Sequence, residues 1–399
     1  MGHIRKLPNG RFETRYRAPD GKERSKRFAT RRDARAHLDQ VGVDRRVGTW
    51  HDPRAGRTLL AEWVRQWEGT SVHLRASSRA RDASYLRNHV LPRFGPMRLD
   101  AIAVVDVREW VADLSGSGLA PATVQKAYQT LSKILRGAVD AGLLAQSPCR
   151  GVDLPRIERE EMRFLDPEQI AALAAGIDKR YRAMVLLGGY GGLRLGELAG
   201  LRRSRVDLAV GRVEVAEVVV EVRGHHQFGP PKTRAGRRSV PLPRLVVQAL
   251  KAHVADLEPD AFVFAAPNGG PMRASQFRRR FWQPAAVATG LGDWKRAEPG
   301  PGEDEGAIVG YAGLRIHDLR HTAVALWIAA GANPKQIAAW AGHTSVSVVL
   351  DRYGHLFEGH ETAVLSQLDS LARQGSSTSG ATAKRPGEPA LRVARRLSA

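Results

Sequence analysis

Between Tyr311 and Leu356 the chain collects side chains able to bind an anion and move protons. This stretch carries His317 and Arg320, then His343 behind Gly342, then Tyr353 within Asp351-Arg-Tyr-Gly-His. His317 and Arg320 are three positions apart, so a helix would set them on one face. A second cluster lies upstream, where Gly188-Gly-Tyr-Gly-Gly192 runs into Leu193-Arg194-Leu-Gly196-Glu197. Its glycines let backbones approach closely, and Arg194 stands at an expected helix N-terminus, where a guanidinium can clamp an oxyanion. Zinc is the competing use of His317 and His321, four apart, but the general-base Glu of a metalloprotease motif is missing. His225-His226 likewise lacks a Cys or carboxylate at ligand spacing, so no metal site is expected.

The elements that must position these groups are legible around them. The apolar run Ala323-Val-Ala-Leu-Trp-Ile-Ala-Ala buries the helix that carries His317 and Arg320, with Gly331 as its C-cap. Asn333-Pro334 opens the next helix, Gly342 closes it just before His343, and residues 344–350 form a further short helix ahead of Tyr353. Upstream, Asp166-Pro-Glu-Gln is a helix start, and 181–187 is apolar and helical up to the glycines. Residues 212–222 read as one strand, and Gly229 to Leu242 as a hairpin with a basic tip that bears Lys232. Helices are expected over 242–257 and 276–282. The Gly-, Pro- and acid-rich stretch 292–311 reads as an exposed loop.

Composition adds a partner class. Lys and Arg number 62 against 41 Asp and Glu in 399 residues, a formal charge of +21, which is the footprint of a polyanion binder. The single Cys149 excludes a disulfide framework and a Cys-based zinc cluster. No apolar run reaches spanning length, so a soluble, cytoplasmic protein is expected. The segment to Arg57 holds 16 basic and 7 acidic residues. It reads as two strands, 11–17 and 22–28, and a helix from about 31 to 47 capped by Thr30. Arg11, Arg15, Arg17, Lys22, Arg24 and Lys26 could then lie in a DNA groove. Residues 58–155 have the apolar rhythm of four helices, with Arg75, Arg79 and Lys126 on polar faces. Residues 374–399 read as a polar, disordered tail.

Three boxes carry a family resemblance. Gly192-Leu-Arg194-Leu-Gly-Glu197-Leu, Lys232-Thr-x-x-Gly-x-Arg-x-Val-Pro-Leu242, and His317-x-x-Arg320 with Gly342-His343 and Tyr353 resemble the signature of the tyrosine recombinases, the phage integrases. In Trp340-Ala-Gly-His343, Leu is commoner before the Gly, a change of packing only. The resemblance implies a multidomain, mainly α protein. It would comprise a small sheet-plus-helix arm-binding domain (1–57), a helical, SAM-like core-binding domain (58–155) and an α+β catalytic domain (163–373). It implies Arg194, Lys232, His317, Arg320, His343 and Tyr353 as catalytic, with Glu197 in support.

The chemistry suits those residue types. Phosphodiester cleavage builds charge on the nonbridging oxygens, and two arginines can grip both without a metal. Tyr353 is the expected nucleophile, His317 the base or hydrogen-bond donor, His343 a phosphate-oxygen ligand and Lys232 the acid for the departing 5′ oxygen. The resemblance further implies a 3′-phosphotyrosyl intermediate, no cofactor, double-stranded attachment sites, and a homotetramer assembled by docking of the C-terminal helix. Host bending or excision factors are possible partners. Two alternatives stand beside an integrase: a chromosome-dimer resolvase, disfavoured by the extra basic N-terminal segment, and a non-catalytic DNA-binding regulator, which has no use for the nucleophile.

Overall fold

The structure is a computed structural model that describes residues 2–19, 21–47, 50, 52, 54–70, 74–158, 161–298, 305–357 and 361–377. It divides into two compact units, Met1–Glu161 with Val220–Gln227, and Met162–Val219 with Phe228–Ala399.

The first unit begins with a three-stranded antiparallel sheet, β1 (His3–Lys6), β2 (Phe12–Arg17) and β3 (Glu23–Phe28), in that order. Strand β1 is a strand more than the sequence reading gave; His3–Lys6 pairs with the far edge of β2. Helix α1 (Arg31–Val47) starts where expected, because the Thr30 hydroxyl accepts from the Asp33 N–H at 3.1 Å. Its Ala34 and Val41 are buried, as are Thr14 and Tyr16 on the sheet. The helices α2 (Leu60–Thr70), α3 (Ala76–Tyr85), α4 (Leu91–Phe94), α5 (Val104–Gly116) and α6 (Pro121–Asp140) follow, a π-turn at Leu86–Val90 joining α3 to α4. Val124, Ala127, Leu131, Ile134 and Ala138 repeat at three and four along α6 and are all fully buried. They pack with Leu60, Trp63, Val90 and Trp110. The Trp63 and Trp110 indoles donate to the Ile134 and His89 carbonyls at 3.0 Å, so these large rings enter the core with their polar edge satisfied.

The second unit contains α7 (Pro167–Gly176), α8 (Arg182–Gly191) and α9 (Leu195–Ala199), then strands β4 (Val206–Asp207), β5 (Arg212–Val215) and β8 (Arg238–Pro241), while β6 (Val218–Val222) and β7 (His225–Gly229) lie mostly in the Val220–Gln227 segment that belongs to the first. After α10 (Arg244–His253), α11 (Ala274–Phe277) and α12 (Gln283–Ala288) come β9 (Gly292–Arg296) and β10 (Ile308–Gly313). The chain continues into α13 (Asp318–Ala329), α14 (Pro334–Ala341), α15 (Ser347–Tyr353) and α16 (Glu361–Ser377).

Three sequence readings are corrected. The strand 212–222 is broken: β5 belongs to the sheet β4-β5-β8, whereas β6 pairs with β7. Between them the chain crosses α9, where a Cβ on Gly196 or Gly200 would come within 2.9 Å of the Val219 or Glu217 carbonyl oxygen. The stretch 229–242 is not a hairpin, because β7 and β8 lie in different sheets. Pro230 and Pro231 have no N–H with which to continue the β7 ladder. Lys232 therefore sits in a link between sheets. Finally, 292–311 is not simply a loop. Strands β9 and β10 pair antiparallel, with the Trp294 and Tyr311 rings edge-on at 5.8 Å. Of the expected disordered tail, residues to Ser377 continue α16, and 378–399 lie outside the described residues.

Helix α13 organises this unit. Leu319 belongs to the main core, and a Cβ on Gly188 of α8 would lie 2.8 Å from its Cδ1, so the two helices cross closely. Val324 and Ile328 pack instead with Ile337, Ala341, Val349 and Tyr353 from α14 and α15. A helix apolar on both sides must be buried, and residues 318–324 all are.

Candidate active site

Arg194 is the N-cap residue of α9, just after Gly192, which caps α8 in the left-handed conformation (φ +65°). Its N–H donates to Glu197 Oε2 and its guanidinium to Oε1, both at 2.9 Å. Its side chain remains 41% exposed while Glu197 is buried. Burial alone would raise the Glu197 pKa, but hydrogen bonds and charge from Arg238, and then Arg194, hold it below the usual carboxylate value. The Arg238 fork closes on both carboxylate oxygens at 3.1 and 2.8 Å, and its Nε donates to the Trp340 carbonyl at 2.5 Å. Arg238 lies inside a motif quoted above but was given no role. It links β8, α9 and the end of α14.

Arg320, buried in the first turn of α13, makes a second bridge. Nη1 donates to the Gly192 carbonyl at 2.7 Å, and Nη2 donates to the Ala341 carbonyl. One guanidinium thereby ties the turn before Arg194 to the turn before His343. Burial, and next the charge of Arg194, push it down to about 9, which leaves it cationic at neutral pH. His343 follows Gly342, whose φ of +64° and whose missing Cβ, 3.0 Å from the Ala235 oxygen and Arg238 Cδ, both require glycine. The Nδ1 of His343 is buried with no hydrogen-bond partner among the described residues. Burial, then Arg320, Arg194 and the neighbouring arginines, push its imidazole down to about 4.

Tyr353 is the last residue of α15 and is only 1% exposed. Its hydroxyl is 2.6 Å from Nδ1 of the buried His321, a residue weighed above only as a zinc ligand. Burial raises the phenol's pKa, against the charges of Arg320, Arg352 and Arg194. His317 precedes α13 and is exposed, its ring edge-on to that of His321 at 4.9 Å. Desolvation by the surrounding atoms, then His321, Arg320 and Arg194, push it down to about 4. Arg194, Glu197, His317, Arg320, His343 and Tyr353 thus share one electrostatic environment. Lys232 does not join them: it is exposed and makes no hydrogen bond or ion pair among the described residues. No three His, Cys, Asp or Glu side chains gather in metal-binding fashion among those residues.

Family models match along most of the chain. Residues 163–360 match the Phage integrase family, 1–46 the Phage integrase N-terminal domain, and 59–115 the Phage integrase N-terminal SAM-like domain. The chain belongs to the phage integrase family of tyrosine recombinases. The integrase of Mycobacterium phage L5 is 25% identical over 391 residues, 93% of this chain and 98% of its own. A protein of Mycobacterium tuberculosis strain H37Rv, provisionally named a prophage phiRv2 integrase, is 27% identical over 93% of this chain and 96% of its own. Among solved structures, the Tn1549 transposon integrase in complex with circular intermediate DNA aligns with a TM-score of 0.62 at 20% identity. That alignment covers 78% of this chain and 100% of that one. A lambda integrase dimer bound to a core site aligns at 0.54 and 17% identity, over 90% and 95% of the chains. These likenesses establish the tyrosine recombinase fold.

The expected DNA-contacting residues of this recombinase sort by strand register. Directly paired residues share a face, so Arg5, Glu13 and Arg27 stand together, with Arg15 two positions along. Glu13 holds Arg15 at 2.9 Å, Arg5 at 3.3 Å and Arg27 at 3.7 Å. Arg17 shares that face by alternation, while Arg11 and Lys22 are exposed just outside the strands. Arg24 is a correction: it points to the opposite face, beside Tyr16, and is buried against Asp52 at 2.5 Å. Lys26 shares the Arg24 face but is exposed and stacks over Phe28. Arg5 and Arg27 share this face but were not among the residues expected to meet DNA: β1, which carries Arg5, was not foreseen, and Arg27 in the expected strand 22–28 was passed over. Arg75, Arg79 and Lys126 are exposed, Lys126 donating to Gln129 at 2.9 Å.

Proposed function

We propose that this tyrosine recombinase is an integrase that cuts and rejoins DNA at attachment sites through Tyr353, inserting or excising a mobile element. The observation that carries the reading is the meeting of Tyr353 with Arg194, Arg320 and His343 around α13. Arg194 and the remaining N–H groups of Arg320 neutralise the nonbridging oxygens of the scissile phosphate. The fixed arginines need no reorganisation as that charge grows. The Nδ1 of His343 supplies a further hydrogen bond at the phosphate. Tyr353 Oη attacks phosphorus, the 5′ oxygen departs with a proton from Lys232, and a 3′-phosphotyrosine conserves the bond for the incoming strand. Lys232 approaches only when its link between sheets folds over the substrate.

Domain by domain, 1–57 grips distal DNA with the Arg5, Arg15 and Arg27 face, 58–155 holds the core site, and 163–373 does the chemistry. Leu365, Leu368 and Leu371 of α16 are 60%, 55% and 60% exposed at intervals of three, a stripe that suits docking on a neighbouring protomer. A lambda integrase tetramer has been solved on a Holliday junction, at a TM-score of 0.52 and 18% identity to this chain. The active assembly proposed is accordingly a homotetramer on two DNA sites. No helix among the described residues is long and apolar enough to cross a membrane.

The test is a nicked suicide duplex carrying the attachment core, incubated with protein in EDTA and run on a denaturing gel. Wild type is expected to give a covalent protein–DNA band and Tyr353→Phe none. Binding without a band, on a site verified by footprinting, would overturn the recombinase chemistry in favour of a DNA-binding regulator.

A further inference from the structure

Tyr353 has to lose a proton when it attacks, and among the described residues one acceptor is hydrogen-bonded to its hydroxyl. The Oη lies 2.6 Å from Nδ1 of His321, and no other acceptor is hydrogen-bonded to it among the described residues. Both residues are buried, at 1% and 7% exposure, so water does not compete freely for the position. Each is anchored: His321 lies within the first turns of α13, and the Tyr353 ring packs with Val324, Ile328 and Val349. His317, the obvious imidazole, is exposed and makes no hydrogen bond to the phenol.

We propose that His321 is the catalytic proton acceptor for Tyr353, a role that rests on Tyr353 being the nucleophile. As the Oη–P bond forms and the P–O5′ bond breaks, the phenolic proton passes to Nδ1, and the 5′ oxygen takes its own proton from Lys232. In rejoining, the incoming 5′-hydroxyl attacks phosphorus and gives its proton to the Lys232 amine. The Oη–P bond then breaks, and Nδ1 returns the proton to Oη. The imidazole is suited to this cycle. Burial, against the charge of Asp318 and helped by those of Arg352, Arg320 and Arg315, keeps it below its ordinary pKa and so neutral before cleavage. A neutral ring accepting at Nδ1 carries its hydrogen on Nε2. His317 is left to touch the phosphate.

The test separates proton acceptance from mere support of the tyrosine. In His321→Asn the amide oxygen occupies the place of Nδ1 and still accepts a hydrogen bond, but it cannot take the proton. The full chain is assayed in single turnover on a nicked suicide duplex, with Tyr353 as tyrosine or as a more acidic difluorotyrosine. His321→Asn and His321→Ala are expected to slow adduct formation by roughly 10²-fold at unchanged DNA affinity. The fluorinated phenol should recover at least about tenfold in His321→Asn while scarcely changing wild type, since an acidic phenol depends less on a base. A His321→Asn rate within about threefold of wild type would overturn the assignment, as would a slow variant that the acidic phenol does not rescue. If wild type forms no Tyr353-dependent adduct, the nucleophile itself is wrong and this role falls with it.

Discussion

At the scale of single residues, the guanidiniums differ in what they can lose. Arg320 spends two donors on the Gly192 and Ala341 carbonyls and has others left for a phosphate. An ammonium cannot span both carbonyls and a phosphate, so Arg320→Lys should cut adduct formation by roughly 10²-fold or more in the suicide assay. DNA affinity, measured by anisotropy, should change little. The depressed histidines give a pH prediction. His343 is held to about 4, whereas its unfolded-state value is the ordinary 6.5. Between those values the unfolded chain binds the proton and the folded chain does not, so stability falls as pH drops through that window. Urea midpoints should decline from neutral pH toward pH 5, and His343→Gln should flatten part of the decline. Legibility at this scale was uneven. Arg194, Arg320, His343 and Tyr353 stood out through motif and type. His321 and Arg238 did not, although periodicity could have found both. His321 lies three and seven positions before Val324 and Ile328, on the face turned toward α15. Arg238 stands two positions before the fully buried Val240 on one strand face and so had to point inward.

At the scale of elements, the site depends on α13 and on the brace across β8, α9 and α14. Truncating one partner of a buried ion pair leaves the other charge stranded, so Arg238→Ala should cost about 3–5 kcal/mol in chemical denaturation, and Glu197→Ala a similar amount. The double variant should cost less than the sum, because no lone charge remains. Helix starts were readable because their caps are local: Thr30, Asp166 and Asn333 each accept from the N–H three residues on. Strand partners were not. Whether 212–222 stays in one sheet depends on the crossing over Gly196 and Gly200, residues well upstream. The ribbon formed by β9 and β10 hid behind a loop-like composition, since pairing is set by the partner strand as much as by local propensity.

At the scale of the whole molecule, charge and covalent chemistry divide the work of DNA recognition and cleavage. A net charge of +21 implies affinity that falls steeply with salt. Arg15→Ala, on the open face of the N-terminal sheet, should lower the salt slope by about 1, whereas Arg24→Ala should instead destabilise the fold by removing a buried guanidinium paired with Asp52. Salt-series anisotropy and thermal melts distinguish the two. The multidomain plan was legible from charge and helix rhythm, but the sorting of basic residues into exposed and buried was not, because it turns on the register of β1 and β3. The most direct measurement is of the covalent bond itself. The suicide-substrate adduct would be digested with nuclease and protease, and the nucleotide-bearing peptide sequenced by mass spectrometry. The expected result is a nucleotide on the Tyr353 oxygen and on no other residue. A nucleotide on another side chain, or a cleaved strand with no linked peptide, would contradict the central claim.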